Sequence, residues 1–211
     1  GYYENNKQEK KFTKYNLPDW CENNQTIKKT DIIRKKWLDN DFYGGVSTLY
    51  GKFNNLDLNF GVVANQYEGK HFGNVTGVFF PQIFESEYYR NNSVKNEFAG
   101  FAKFILAKNR FEFFGDLQLR TIHYKTSIVT QGDFEGADLD QNWLFFNPKA
   151  GINYKIPAGK IFVSAAIAHR EPNRDDLFAN PKTEAEKLYD FEAGLEKTLG
   201  IFSFTTNLYY M

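Results

Sequence analysis

The sequence is poor in cysteine and histidine, and it has no long hydrophobic run. Cys21 is the only cysteine among 211 residues, which excludes an intrachain disulfide and a cysteine-based metal site. A transmembrane helix needs a run of about 18 apolar residues, and none is present. The start at Gly1 has neither the basic residues nor the apolar stretch of a signal peptide. We therefore expect the chain to be a portion of a longer protein, cut at both ends.

An excess of positive charge is also missing. Lysine plus arginine and aspartate plus glutamate number 26 each, so the formal net charge is zero. A nucleic-acid partner would normally leave a basic excess or a basic stripe. The nearest approach is the run KQEKKFTK at residues 7–14, which its acidic and amide residues dilute, and it is predicted to be a solvated loop. No nucleic-acid partner is expected.

Aromatic residues are abundant in a chain that is otherwise polar. The mean hydropathy is −0.56, yet 18% of the residues are aromatic, with 22 Phe and 13 Tyr. Soluble domains of this polarity rarely contain so many rings. In an outer-membrane barrel one face of each strand meets lipid, the other meets a wet lumen, and aromatic girdles lie at both interfaces. That architecture accounts for both values.

The hydrophobic pattern has a period of two residues, as in half-buried strands. In one such segment Leu56, Leu58 and Phe60 alternate with Asp57 and Asn59. The alternation is clearest in five segments, at residues 56–64, 111–121, 144–154, 189–197 and 202–210. The apolar members of each set are predicted to face lipid and the polar members to face the lumen. Pro148 lies within the third segment and predicts a local bulge.

The connections between the strands alternate between tight and long. Tight connections are predicted at residues 54–55, 108–110, 156–159 and 199–200, and long ones at about 68–92, 129–141 and 171–186. A membrane barrel has short turns on one rim and long loops on the other. Treating residues 32–53 as one long, bulged strand preserves this order. The fold class is therefore all-β: an antiparallel up-and-down meander of about nine strands, a partial segment of one large transmembrane β-barrel domain that covers residues 1–211.

Five separated motifs resemble those of a known family. They are GYYE at residues 1–4, RKKWLDNDFYGG at 34–45, GKHFG at 69–73, FNPKAGINY at 146–154 and HREPNRDDL at 169–177. The chain is similar to the β-barrel of TonB-dependent outer-membrane receptors, most closely to the Bacteroidetes type. The resemblance implies a barrel of about 22 strands in the bacterial outer membrane, a plug domain, and uptake energised through TonB. The plug and the remaining strands are expected to lie outside this chain.

The sequence contains no recognisable catalytic or metal-binding pattern. The histidines His71, His123 and His169 are far apart and have no partner at metal-ligand spacing. The acidic stretch Asp133, Glu135, Asp138 and Asp140 lacks the spacing of a calcium loop, so solvation is the favoured interpretation. Ser164 and Ser203 do not lie in a nucleophile motif. We expect neither an enzyme nor a bound metal or cofactor.

Charged residues on one predicted strand have two interpretations. Glu112, Asp116 and Arg120 share a face, which would permit catalysis, but a wet lumen tolerates such charges and pairs them across strands. The second interpretation is favoured.

Ligand contact is predicted for the long loops and the strand ends beside them. The aromatic stretch at residues 79–84 offers large rigid contact area, or else packs the loop onto the rim. Arg170 and Arg174 could grip an anionic ligand bidentately, although pairing among Arg170, Glu171, Asn173, Arg174 and Asp175 is favoured. The candidate ligand-binding residues are Tyr67, His71, Phe72, Phe79, Tyr88, Tyr89, Arg170, Asn173 and Arg174.

The sequence therefore favours a receptor that imports a small molecule or metal chelate. An iron–siderophore, haem, cobalamin and a glycan all remain open. The expected partners are the lipid bilayer, the ligand, and TonB acting through the plug. The alternative is a non-transporting structural or adhesive outer-membrane barrel, and a third hypothesis is a water-soluble β-sandwich binding module.

Overall fold

The computed structural model describes residues 1–78, 86–131 and 136–211. Most of these residues are in strands, in keeping with the period-two pattern. The strands are β1 (Tyr2–Lys11), β2 (Trp20–Glu22), β3 (Gln25–Ile27), β4 (Lys29–Phe53), β5 (Leu56–Val78), β6 (Ser86–Lys108), β7 (Phe111–Gln131), β8 (Ala137–Ile156), β9 (Gly159–Arg170), β10 (Glu186–Leu199) and β11 (Phe202–Tyr210). A 3-10 turn covers Phe12–Tyr15, and a short helix, α1, covers Arg174–Ala179.

Nine strands form one antiparallel sheet in the order β1-β4-β5-β6-β7-β8-β9-β10-β11. The strands β2 and β3 form a separate hairpin between β1 and β4. Register is continuous where β9 meets β10, from Gly159 opposite Lys197 to Arg170 opposite Glu186. The predicted nine-stranded meander is confirmed, and so is the single long strand predicted for residues 32–53. Within the described residues α1 is the longest helix, with 6 residues.

Tight turns join the strands at one end, and the backbone there explains why they are tight. Asn54, Asn109 and Ala158 have φ of 48°, 57° and 52°, and Gly200 has φ of 60°. This left-handed region is easiest for glycine and, among other residues, for asparagine. Three of the four residues thus have the turn chemistry that the sequence pattern requires.

The predicted long connection at residues 68–92 is shorter than expected, which corrects the sequence interpretation. Residues 68–78 and 86–92 belong to β5 and β6 rather than to a loop, so His71, Tyr88 and Tyr89 lie in strands. Gly69 and Gly73 in this stretch wrongly indicate a loop. A Cβ on Gly73 would lie 2.3 Å from the ring of Tyr89, so this glycine leaves room for a ring within the sheet.

The predicted solvated loop at residues 7–14 is also wrong. Its first part continues β1 as far as Lys11, and its remainder forms the 3-10 turn. Phe12 is 3% exposed, because this one apolar side chain turns into a small core.

The two faces of the sheet differ as the alternation predicts. Most of the side chains predicted to face lipid are exposed, including Phe60, Phe111, Leu117, Leu119, Ile152, Phe202 and Phe204. Leu56, Leu58 and Phe113 are half-buried on the same pattern. We call this side the apolar face. The opposite side, the polar face, contains Asp57, Asn59, Glu112, Asp116, Arg120, Lys149 and Glu192, which are half-buried, and Asn207, which is exposed.

The phase of β8 is the same on both sides of Pro148. Leu144 and Phe146 before the proline and Ile152 after it are all exposed. An inserted residue would move one of these sets to the other face. The bulge predicted at Pro148 therefore leaves no trace in the alternation. The pairing of β8 with β9 begins at Lys149, one residue after the proline. On the other side of the proline, the side chain of Asn147 accepts a hydrogen bond from the backbone N–H of His169.

The chain divides into two compact units. The first unit comprises Gly1–Tyr43, Gln66–Asn96 and His123–Gln141, and it contains a core of Phe12, Tyr15, Leu17, Ile32, Val75 and Tyr88. This core fastens the long connection after β1 to the sheet. The second unit comprises Gly44–Asn65, Glu97–Ile122 and Asn142–Met211, and within it Leu177 of α1 is fully buried. Among the described residues, helices of a length and apolarity that would suit a membrane span are absent.

Candidate ligand-binding surface

The first cluster of candidate residues lies on the polar face of β5. Tyr67 and His71 are four residues apart on one strand, so the period of two places them on the same face. The hydroxyl of Tyr67 lies 3.4 Å from His71 Nε2, and that nitrogen lies 3.1 Å from Asn40 Oδ1 on β4. Together the three side chains present donors and acceptors that suit a polar ligand.

Phe72 faces the other way, because it follows His71 directly. Its ring stacks on Trp37 at a centroid distance of 6.0 Å, and the guanidinium of Arg90 lies 4.5 Å from its centroid. Tyr2 packs on the far side of Trp37 at 4.8 Å. The structure thus places Phe72 in an aromatic row on the apolar face, apart from its sequence neighbour.

The two tyrosines of β6 lie close together. Tyr88 is 6% exposed and packs on Tyr15 at 4.8 Å, so it anchors the first unit's core. Its burial raises the pKa of the hydroxyl to about 12, although the neighbouring positive charge of Arg34 counteracts part of that shift. Tyr89 lies 5.0 Å from Tyr88, with the ammonium group of Lys36 at 5.3 Å. Tyr89 is the more accessible of the two and can offer its ring to a ligand.

The remaining candidates surround α1 in the second unit. Arg170 pairs with Glu186 at 2.8 Å, and Arg174 lies 3.4 Å from Asp175. Asn173 is the N-cap of α1, and its side-chain oxygen accepts a hydrogen bond from the backbone N–H of Asp176. These contacts organise the loop, and the side chains of Arg170 and Arg174 remain 70% and 37% exposed. Phe79, the ninth candidate, lies outside the described residues.

Charges on the polar face pair across strands, as predicted. Lys103 of β6 lies 3.0 Å from Asp116 of β7. Arg120 donates two hydrogen bonds to Glu97, at 2.8 and 2.9 Å, and a third to Glu171 at 3.2 Å. The contact with Glu171 was not foreseen, because those two residues are 51 positions apart.

The histidines have partners other than metal ligands. His123 Nε2 lies 2.9 Å from an oxygen of Asp140. His169 stacks on Phe145 and contacts Asn147 at 3.0 Å. The described part of the chain contains no group of three or more His, Cys, Asp or Glu side chains that could hold a metal ion. Asp133 and Glu135 of the acidic stretch fall outside that part.

Comparison with known proteins identifies what the sheet resembles. A family model described as the TonB-dependent receptor-like β-barrel matches residues 1–211. A solved structure of the copper transporter OprC is similar, with a TM-score of 0.71 and 15% identity over 84% of this chain and 30% of that one.

Two further solved structures share the fold. The ferric-catecholate import receptor Fiu from K12 E. coli has a TM-score of 0.61 and 14% identity over 86% of this chain and 32% of its own. The ferric yersiniabactin uptake receptor FyuA from Yersinia pestis has a TM-score of 0.59 and 11% identity over 86% of this chain and 30% of its own. The chain thus spans about a third of the length of these proteins. A sequence comparison with curated proteins gives no match.

Proposed function

Because this chain belongs to the TonB-dependent receptor β-barrel family, we propose that it forms part of the barrel of a bacterial outer-membrane receptor that imports a scarce ligand. The observation that carries the proposal is the family match over the whole chain. The difference between the two faces of the sheet supports it, since one face is apolar and the other contains paired charges. A plug domain and further strands would be supplied by the rest of the protein, and TonB would energise uptake through that plug.

The ligand class we propose is a metal ion or metal chelate, with an iron–siderophore first. The similar structures are named as a copper transporter, a ferric-catecholate receptor and a ferric yersiniabactin receptor. Haem, cobalamin and glycans are the alternatives. The sequence motifs favour a receptor of the Bacteroidetes type. The family is one of transport receptors, and we propose no enzymatic activity.

The contact residues we propose are the nine predicted from the sequence, and the geometry ranks them. Tyr67, His71 and Tyr89 offer polar and aromatic groups that are held in strands. Arg170 and Arg174 would meet the anionic oxygens of a chelate. Tyr88 and Asn173 would act indirectly, through the core and the cap of α1, and Phe72 through the aromatic row. Phe79 stays a prediction from the sequence.

The test is ligand binding and radio-iron uptake by the full-length receptor with Tyr89→Ala and Arg174→Ala. Each change should lower affinity about fivefold or more, since a charged or aromatic contact contributes about 1–3 kcal/mol. Tyr154→Ala is the matched control, because it truncates an aromatic residue that packs on Phe111 near the tight turns. If the variants insert normally and neither Tyr89→Ala nor Arg174→Ala alters affinity, the contact surface lies elsewhere. Normal insertion with no TonB-dependent uptake by the unaltered protein would favour the structural or adhesive alternative.

A further inference from the structure

Arg120 joins two carboxylates that come from very different parts of the chain. Glu97 lies on the neighbouring strand β6, whereas Glu171 lies immediately after β9, two strands away in the sheet. The three side chains are only 16–19% exposed. Strong charge-assisted hydrogen bonds in such a setting fix geometry, because breaking them leaves a half-buried charge without its partner.

The connection that begins at Glu171 is itself a folded element. Pro172 and Leu177 are buried, and Asn173 caps α1. At its far end the hydroxyl of Thr183 donates to the backbone oxygen of Asn180 at 2.7 Å. The loop at residues 171–185 is therefore an ordered element, and its first residue, Glu171, contacts Arg120 on the sheet.

We propose that Arg120 and Glu171 form a latch that positions the loop at residues 171–185 on the polar face, and that both are positioning residues for ligand binding. The second part rests on the proposed receptor function, because the loop contains Asn173 and Arg174. Glu97 is the fixed side of the latch, since it accepts two hydrogen bonds from Arg120. The hydrogen bond from Arg120 to Glu171 is longer, at 3.2 Å, and it joins the strand to the loop.

The latch is tested by hydrogen exchange in the full-length receptor, comparing Glu171→Gln with Asp116→Asn. The first change removes the loop's charge from Arg120. The second removes an ion pair between β6 and β7 on the same face without touching the loop, so it is the matched control. Backbone amides at residues 173–183 should exchange about tenfold faster in Glu171→Gln, because local opening controls their rate. In Glu171→Gln the exchange of backbone amides in β6 and β7 should not change.

A second variant and a second readout complete the test. Arg120→Lys keeps the charge but loses the planar fork. Backbone amides of the loop should therefore exchange faster, while the barrel should still resist unfolding in detergent at low temperature. Both loop variants should weaken ferric-siderophore binding at least about threefold, and Asp116→Asn should leave it unchanged. Unaltered exchange in Glu171→Gln would overturn the latch. Faster exchange with unchanged ligand affinity would overturn the positioning role. If the unaltered receptor binds no ferric siderophore, the proposed ligand fails while the exchange result still decides the latch.

Discussion

Replacing Leu117 by arginine tests the assignment of the two faces. Leu117 is 47% exposed on the apolar face of β7, six positions after Phe111, where that strand begins. With a rise of about 3.3 Å per residue and a tilt of about 40°, this position lies about 15 Å from the tight-turn rim. The apolar band is about 25 Å tall, so Leu117 is near its middle. Arginine there should cost about 2–4 kcal/mol of the free energy of unfolding.

The matched control is Gln118→Arg, one residue further along the same strand. Gln118 lies on the polar face, where its side-chain oxygen accepts a hydrogen bond from Asn147 at 3.0 Å. Losing that bond should cost about 1 kcal/mol, since the new charge stays in a polar environment between Asp116 and Arg120. Denaturant titration of the receptor in lipid vesicles, followed by tryptophan fluorescence, measures both values. Equal costs, or a larger cost at Gln118, would refute the assignment of faces.

Two further predictions concern a buried tyrosine of the first unit and the N-cap of α1 in the second unit. Tyr88 lies 20 residues from the tight-turn end of β6, which is further than the roughly 9–11 residues that a strand needs to cross a membrane. The pKa of its hydroxyl is raised to about 12 from an ordinary value of 10.0. Stability from the neutral hydroxyl is fully present below the unfolded pKa and is lost as the pH rises from about 10 towards 12. Tyr88→Phe should flatten the alkaline fall in unfolding free energy, and an unchanged slope between pH 9 and 11.5 (roughly the accessible window) would contradict this. Asn173→Ala removes the N-cap of α1 and should cost the loop about 1 kcal/mol, seen as faster proteolysis at Lys182, and an unchanged cleavage rate would argue against the cap.

Much of the sheet could be predicted because its pattern is local. Alternation of Leu56, Asp57 and Leu58 defines a strand and its faces at once. The tight turns are signalled by Asn54 and Asn109, which tolerate the left-handed conformation. The alternation of tight and long connections then predicts that β4 continues through residues 38–41, where Asp and Asn resemble a turn.

The site was harder to predict because its contacts depend on which strands are neighbours. His71 and Phe72 were grouped by closeness in sequence, yet the same alternation places them on opposite faces. Gly69 and Gly73 suggested a loop, whereas Gly73 makes room for the ring of Tyr89. The pairing of Arg120 with Glu171 depends on the strand order and on the path of a loop, and neither leaves a local signal.

Strand length has a consequence for how a ligand would be recognised. The strands β4, β5, β6 and β7 contain 25, 23, 23 and 21 residues, whereas a tilted strand crosses a membrane with about 9–11. The surplus lies towards the long connections, and there Tyr67, His71 and Tyr89 are already part of a hydrogen-bonded ladder. Fixing one free backbone residue costs about 1–2 kcal/mol. A surface preorganised in this way avoids that entropic cost on binding, and its rigidity would make it select ligands by shape.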